Sequence, residues 1–205
     1  PEDLEQYSTD ALSPFRAFRA APLLEQRAQV VATPRSTQQV ADLVKFAAQH
    51  RVPLVPHGGG TGVMGGAVPV RGGVVVDLQR MDRVLEVDPV SLTATVEAGV
   101  ILEELQRHLE QHGLMLGHEP WSVPIATVGG AISTNGVGYR ASRYGPMGAQ
   151  VLGLQVVLPS GQVLDTRAVP KYASGPNLNH LFIGSEGAFG IITRATLQVF
   201  PLPEK

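Results

Sequence analysis

Val55-Pro56-His57-Gly58-Gly59-Gly60-Thr61-Gly62-Val63-Met64-Gly65-Gly66 carries six glycines in the nine positions 58–66, directly after the short apolar run Val52-Pro53-Leu54-Val55. Glycine leaves no side chain between backbone and ligand. Successive amides in such a loop can converge into an anion-holding concavity. A loop of this kind after a strand is a candidate phosphate cradle; the alternative is a mobile surface loop that only turns the chain. Two well-known cradles are excluded. No Lys-Ser or Lys-Thr follows the glycines, so the P-loop pattern fails. Gly60-x-Gly62-x-x-Gly65 matches the dinucleotide fingerprint nominally, but that motif needs a helix to start inside the glycines. Here Pro69 and Gly72-Gly73 intervene at once, then the strand-like Val74-Val75-Val76-Asp77-Leu78. No room remains for the helix.

Outward from the loop, the N-terminal side reads as strand and helix. Gln29 to Thr33 is a strand ended by Pro34. Ser36-x-x-Gln39 is a capping-box signature, opening a helix over 36–50 with Val40, Leu43, Val44 and Ala47 at helical spacing. Strands over 52–56 and 73–78 flank the glycine loop. Residues 1–28, with Tyr7, Phe15, Arg16, Phe18 and Arg19, lack periodicity and read as an irregular arm lying on the domain. Residues 29–83 therefore form a small α/β lobe.

Residues 84–205 have a different texture. Val84 to Val87 and the strictly alternating Leu92 to Ala98 are separated by a turn at Asp88-Pro89-Val90-Ser91. Alternation places Leu92, Ala94, Val96 and Ala98 inward and Thr93, Thr95 and Glu97 outward, as in a half-buried antiparallel strand. A helix over 100–112 buries Leu102, Leu105 and Leu109 and stops at Gly113. The polar, Gly-rich stretch 117–149 shows only a short helix at 127–134. Residues 151–158 and 162–166 read as a hairpin around Pro159-Ser160-Gly161, and Leu181-Phe182-Ile183 and Gly190 to Val199 as the last strands. The predicted class is α+β, a small α/β lobe beside a mainly antiparallel one with helices.

Composition narrows the function. The 205 residues are 17% charged and 43% hydrophobic, which is globular, and the net charge of −2 gives no electrostatic reason to expect nucleic acid. No apolar run approaches the ~20 residues of a membrane span, and no secretory signal pattern is present. A cytoplasmic location is the default expectation. The chain has no cysteine, which excludes disulfides, thiolate metal sites and cysteine nucleophiles within it. Starting at Pro1 without Met, it is expected to be part of a longer product.

Conventional catalytic motifs fail one by one. His108 and His112 have metal-ligand spacing, but no third ligand is suggested, so a solvated helix face is the expectation. His118-Glu119 is broken by Pro120. Gly184-Ser185-Glu186-Gly187 is one residue short of a nucleophile elbow. What remains are three further Gly-rich, nearly uncharged stretches: 117–126, 127–138 and 182–193. With the first loop, their chemistry suits a large, flat, mostly neutral ligand with an embedded pyrophosphate, held by main-chain groups. That reading requires residues 57–62 and 127–130 to share one cleft.

The order Pro-His-Gly-Gly-Gly-Thr-Gly (56–62), Thr-Val-Gly-Gly-Ala-Ile-Ser-Thr-Asn-Gly (127–136) and Gly-Ser-Glu-Gly-Ala-Phe-Gly-Ile-Ile-Thr (184–193) resembles the FAD-binding domain of the vanillyl-alcohol oxidase (PCMH-type) flavoproteins. It is most similar to the branch of glycolate oxidase and D-lactate dehydrogenase flavin subunits and alkyldihydroxyacetonephosphate synthase. The resemblance covers about residues 28–203 and implies a two-lobed domain with FAD between the lobes. It implies that Pro56, His57, Gly58, Gly59, Gly60, Thr61 and Gly62 hold the pyrophosphate. Pro120, Ser122, Ala126, Thr127, Gly129 and Gly130 would run along the flavin ring and phosphates, with Ser133 and Gly136 behind. Glu186, Gly187, Gly190, Ile191 and Ile192 would hold the adenosine end and part of the ring edge. The histidine that bonds flavin covalently in some relatives falls at Thr61, and no cysteine is present, so non-covalent FAD is expected. His57 stands where many relatives have Arg.

The same resemblance implies a flavin-dependent oxidoreductase that oxidises a small 2-hydroxy acid of the glycolate or D-lactate type. Its catalytic residues would lie largely in a cap domain or partner subunit outside this chain. Two alternatives stand beside it. One is an ether-lipid synthase of the alkyldihydroxyacetonephosphate type, which Gly117 to Pro120 and Ser174 to His180 resemble, although Asn135 stands where that enzyme has a basic residue. The other is a non-catalytic flavin-binding subunit or fragment.

Overall fold

A computed structural model describes residues 2–11, 27–171, 173 and 175–203. Helix α1 (Glu2–Gln6) opens the chain, so the expected irregular arm begins with a helical turn. Phe15, Arg16, Phe18 and Arg19 lie outside the described residues. Strand β1 (Val30–Ala32) leads to α2 (Thr37–His50), then β2 (Leu54–His57) and, beyond the glycine loop, β3 (Val74–Asp77). The Ser36 hydroxyl accepts from the Gln39 amide at 3.3 Å. The return bond runs from the Arg35 amide to the Gln39 side chain, one residue earlier than a capping box requires. Val40, Ala41, Val44 and Ala47 form the buried face of α2. The three strands are parallel in the order β1-β3-β2. The central β3 buries Val75 and Val76 completely. Pro56 lies on the edge strand β2, where a missing amide removes no ladder bond.

The second sheet is antiparallel. It contains β4 (Val84–Asp88) and β5 (Thr93–Glu97); α3 (Leu102–Glu110) follows, burying Leu102, Leu105 and Leu109 as the periodicity predicts. Strand β6 (Leu114–Met115), α4 (Val128–Ser133) and α5 (Ala141–Tyr144) precede the hairpin of β7 (Val151–Val157) and β8 (Val163–Asp165). Strands β9 (Ile191–Gln198) and β10 (Phe200–Pro201) close the chain. The sheet order is β4-β5-β9-β7-β8, while β10 pairs with β6. One hydrophobic core joins the two sheets, with Val40 and Val76 in the same cluster as Val96, Leu105, Val156 and Leu197. The two textures match the α+β class read from sequence.

Three local expectations are corrected. Leu181-Phe182-Ile183 is not a strand: a 3₁₀ turn spans Leu178–Leu181, and Leu181 is exposed. The reason is polar. The Asn177 side chain accepts from the Asn179 amide, and the buried Asn179 side chain bonds Leu152 O at 3.1 Å and Thr166 Oγ1 at 2.6 Å, so turn chemistry overrides an apolar triplet. Glu97 is buried although it keeps the Thr93 and Thr95 face of β5, because the guanidinium and amide of Arg83 cover and bind its carboxylate at the end of the strand. Stretch 117–149 holds α5 and a 3₁₀ turn at Met147–Gln150 besides the expected short helix.

Candidate functional site

Where the parallel sheet meets the antiparallel one, a cleft of about 440 Å³ opens. All four Gly-rich stretches reach it. Each of Pro56 to Gly62, Pro120, Ser122, Ala126, Thr127, Gly129, Gly130, Ser133, Gly136, Glu186, Gly187, Gly190, Ile191 and Ile192 lines it. Residues 57–62 and 127–130 thus share one wall. A Cβ on Gly58 would collide with the Thr127 hydroxyl, and one on Gly59 with the Ile125 carbonyl. The third arm closes on the other two: a Cβ on Gly187 would come within 2.7 Å of the Pro56 ring, and the Glu186 amide donates to Ser133 O at 2.9 Å.

The two main-chain walls differ in what they offer. Among the described residues, no hydrogen bond engages the amides of Gly59, Gly60, Thr61 or Gly62. Gly60 is left-handed at φ 64°, which glycine alone adopts without strain. These residues are half-buried at the cleft, so an acceptor placed there could meet their amides. The α4 amides are already taken. Val128 donates to Val100 O at 2.9 Å, Gly129 to Ala98 O at 2.7 Å, and Gly130 to the capping Thr127 hydroxyl at 3.2 Å. From 127–130 the cleft receives small surfaces and the Thr127 hydroxyl, not free amides at 128–130. Among the described residues, the main-chain donors of this wall without a protein acceptor are those of the first loop.

Two imidazoles complete the wall. His57 ends β2, is buried, and meets the Tyr7 ring edge-on with centroids 5.0 Å apart. Burial lowers its pKa, offset in part by Asp77, the Gly58 backbone and Asp10. His118 is 3% exposed, and burial pulls its pKa down to about 4, so it is neutral at pH 7. Among the described residues, neither Nδ1 has a hydrogen-bond partner. His118 is held beside Gly136, and the segment after it is fixed by an ion pair between Arg140 Nε and Glu119 Oε2 at 2.9 Å. Glu186 is the one carboxylate among the lining residues.

His118, Trp121, Asn135 and Val137 also line the cleft but were not singled out as site residues from sequence. Their one signal was membership of the Gly-rich stretches. Asn135 Oδ1 accepts from the Gly148 amide at 3.0 Å and so braces the turn behind α4. The rings of His108 on α3 and His112 just beyond it lie tilted with centroids 5.5 Å apart, and no group of three or more potential metal ligands occurs among the described residues. No helix of the described residues is long and apolar enough to cross a membrane.

Comparison with known proteins accounts for this arrangement. The family model described as "FAD binding domain" matches residues 28–167. The chain belongs to that family, and its cofactor is FAD. The glycolate oxidase subunit GlcD of Bacillus subtilis is 39% identical over 205 residues, covering 100% of this chain and 43% of that protein. A D-lactate dehydrogenase of Archaeoglobus fulgidus is 40% identical over 191 residues, 91% of this chain and 43% of its own length. Among solved structures, an alkyldihydroxyacetonephosphate synthase superposes with a TM-score of 0.77 at 35% identity, over 85% of this chain and 34% of its own. The architecture is the PCMH-type FAD-binding fold. The chain spans less than half the length of these relatives.

The residues present fit such a cofactor. A loop whose amides no described residue engages suits a diphosphate, a cleft with one carboxylate suits a flat ring system, and burial lowers the pKa of both imidazoles, leaving His118 neutral at pH 7.

Proposed function

We propose that this chain is the flavin-binding part of an FAD-dependent oxidoreductase that oxidises a small 2-hydroxy acid of the glycolate or D-lactate type. The observation that carries the reading is the convergence of four separate Gly-rich stretches on one cleft. When bound, FAD supplies a two-electron acceptor at its N5; the protein supplies position and electrostatics. On this reading the amides of Gly59 to Gly62 hold the diphosphate. Thr127 and Ser122 offer hydroxyls, and Gly187 to Ile192 shape the remaining wall. The cofactor is held without a covalent bond, since Thr61 offers no nucleophile comparable to an imidazole or thiolate.

The same reading assigns residues 29–83 and 84–205 to the two lobes of the flavin domain, with the 1–28 arm lying on it. Substrate recognition is assigned to a cap domain or partner subunit. Trp121 and Val137 support that assignment, since they line the cleft yet are 66% and 73% exposed. Apolar surface at a cleft mouth is the surface a covering partner would bury. The test is anaerobic titration of the full-length protein with glycolate, D-lactate and a panel of other 2-hydroxy acids. Bleaching of the flavin absorbance by one of them is expected, and no bleaching by any refutes the reading.

A second reading, an ether-lipid synthase of the alkyldihydroxyacetonephosphate type, draws on the structural superposition. Asn135 weighs against it, because a neutral side chain spent on the Gly148 amide is not a free cation. Exchange of an acyl group for a fatty alcohol on acyl-dihydroxyacetonephosphate would favour this reading over the first.

A further inference from the structure

The glycine loop is held from outside the cleft by the first residues of the chain. The Ala11 amide donates to Gly62 O at 2.9 Å, and the Gly65 amide donates to Asp10 Oδ2 at 2.9 Å. Tyr7 donates its hydroxyl to Asp77 Oδ2 at 2.6 Å and lays its ring edge against His57, at the root of the loop. The other Asp77 oxygen accepts from the Gln79 amide, and the Gln79 side chain donates to Gly58 O at 2.9 Å. The segment is itself anchored, since the buried Ser8 hydroxyl accepts from the Ala28 amide at 3.0 Å. Contacts at Gly58, Gly62 and Gly65 thus bracket the amides that no acceptor among the described residues engages. Neither Tyr7 nor Asp10 lines the cleft.

A segment with this glycine content loses more conformational freedom on ordering than any other. If the ligand had to impose that order, affinity would fall by the cost; a loop ordered beforehand avoids it. We propose that residues 7–11 are a strap that pre-organises the glycine loop for a diphosphate, making Asp10 and Tyr7 positioning residues for cofactor retention although neither reaches the cofactor. The proposal rests on the FAD reading but can be judged apart from it.

The experiment uses the whole chain and its Asp10→Ala, Asp10→Asn and Tyr7→Phe variants. FAD dissociation constants are measured by flavin fluorescence, and hydrogen exchange of the Gly65 and Val68 amides is followed without cofactor. Asp10→Ala is expected to weaken FAD at least tenfold and to speed that exchange at least tenfold. Asp10→Asn, which keeps an oxygen for the Gly65 amide, stays within threefold of the parent, a rescue that general destabilisation would not show. Tyr7→Phe keeps the ring and loses the bond to Asp77; a threefold to tenfold weakening is expected, and it serves as the test if Asp10→Ala does not fold. Unchanged FAD affinity in Asp10→Ala, or in Tyr7→Phe where that is the variant available, overturns the strap, as does Asn proving as weak as Ala. If the parent chain binds no FAD yet Asp10→Ala speeds exchange, the strap still braces the loop, but its role in cofactor retention falls with the FAD reading. Unchanged exchange overturns the strap whether or not FAD binds.

Discussion

Gly58 lies so close to Thr127 that a single methyl group on the glycine would overlap the threonine hydroxyl. The two residues are far apart in sequence, Gly58 following β2 and Thr127 capping α4, so their contact is what makes one cleft of two loops. Thr127 is also the N-cap of α4, with its hydroxyl accepting from the Gly130 amide. The Gly58 backbone therefore abuts a side chain that cannot turn away without uncapping a helix.

Gly58→Ala is expected to lower the unfolding free energy by about 1–3 kcal/mol through overpacking. Thr127→Ala is expected to lower it by about 1 kcal/mol through the lost cap. Because the alanine at 127 removes the atom that the new Cβ meets, the double variant should lose less than the sum, by more than about 0.5 kcal/mol. Denaturant unfolding of the four chains completes the cycle. Additive losses would show that the contact is not the cause.

His118 makes stability depend on pH. Its pKa is held down at about 4 by burial, whereas an unfolded histidine titrates near its ordinary 6.5. The unfolded chain thus binds more protons between these values. The contribution is complete above pH 6.5, is lost as pH falls toward 4, and levels off below that. Its size is at most about 3 kcal/mol. His57 is shifted in the same direction. Unfolding free energy measured from pH 7.5 to 4 should fall less steeply in His118→Leu than in the parent, and equal slopes would contradict the assignment.

The flavin should come away with acid. Yellow colour in the supernatant after acid precipitation, above a colourless pellet, is the expected outcome. A coloured pellet would mean a covalent bond that the Thr61 argument does not provide for.

Asn179 replaces a strand with a turn and should bear weight in the fold. Its buried side chain joins Leu152 on β7 to Thr166 after β8. Asn179→Ala removes the bonds to Leu152 O and Thr166 Oγ1, although Thr166 keeps those to the Leu154 backbone, at a cost of about 1–2 kcal/mol. Thermal unfolding measures it; a midpoint equal to the parent's would show that water replaces the amide.

Sequence alone carried the elements whose signal is local. The apolar spacing in α2 and α3, the alternation in β5 and the turn at 159–161 each depend on neighbours within one or two turns of chain. The exclusion of a dinucleotide helix after the glycines was likewise a matter of counting residues. Local pattern misled at 181–183 and left the burial of Glu97 unread, because polar contacts around Asn179 and from Arg83 decide them. The two-residue pair β6 and β10 is too short to leave a pattern at all.

What the sequence determined by itself was the chemistry available: four glycine-rich, almost uncharged stretches and no thiol. Which amides in those stretches are free was decided only by tertiary structure. Residues 127–130 and 59–62 look equally rich in main-chain donors when written out. In the fold, Val100, Ala98 and Thr127 take the first set, while no acceptor among the described residues takes the second, which the chain's first residues hold from behind. The reason is that a hydrogen bond between distant segments is a property of their approach in space, and neither segment's composition records it.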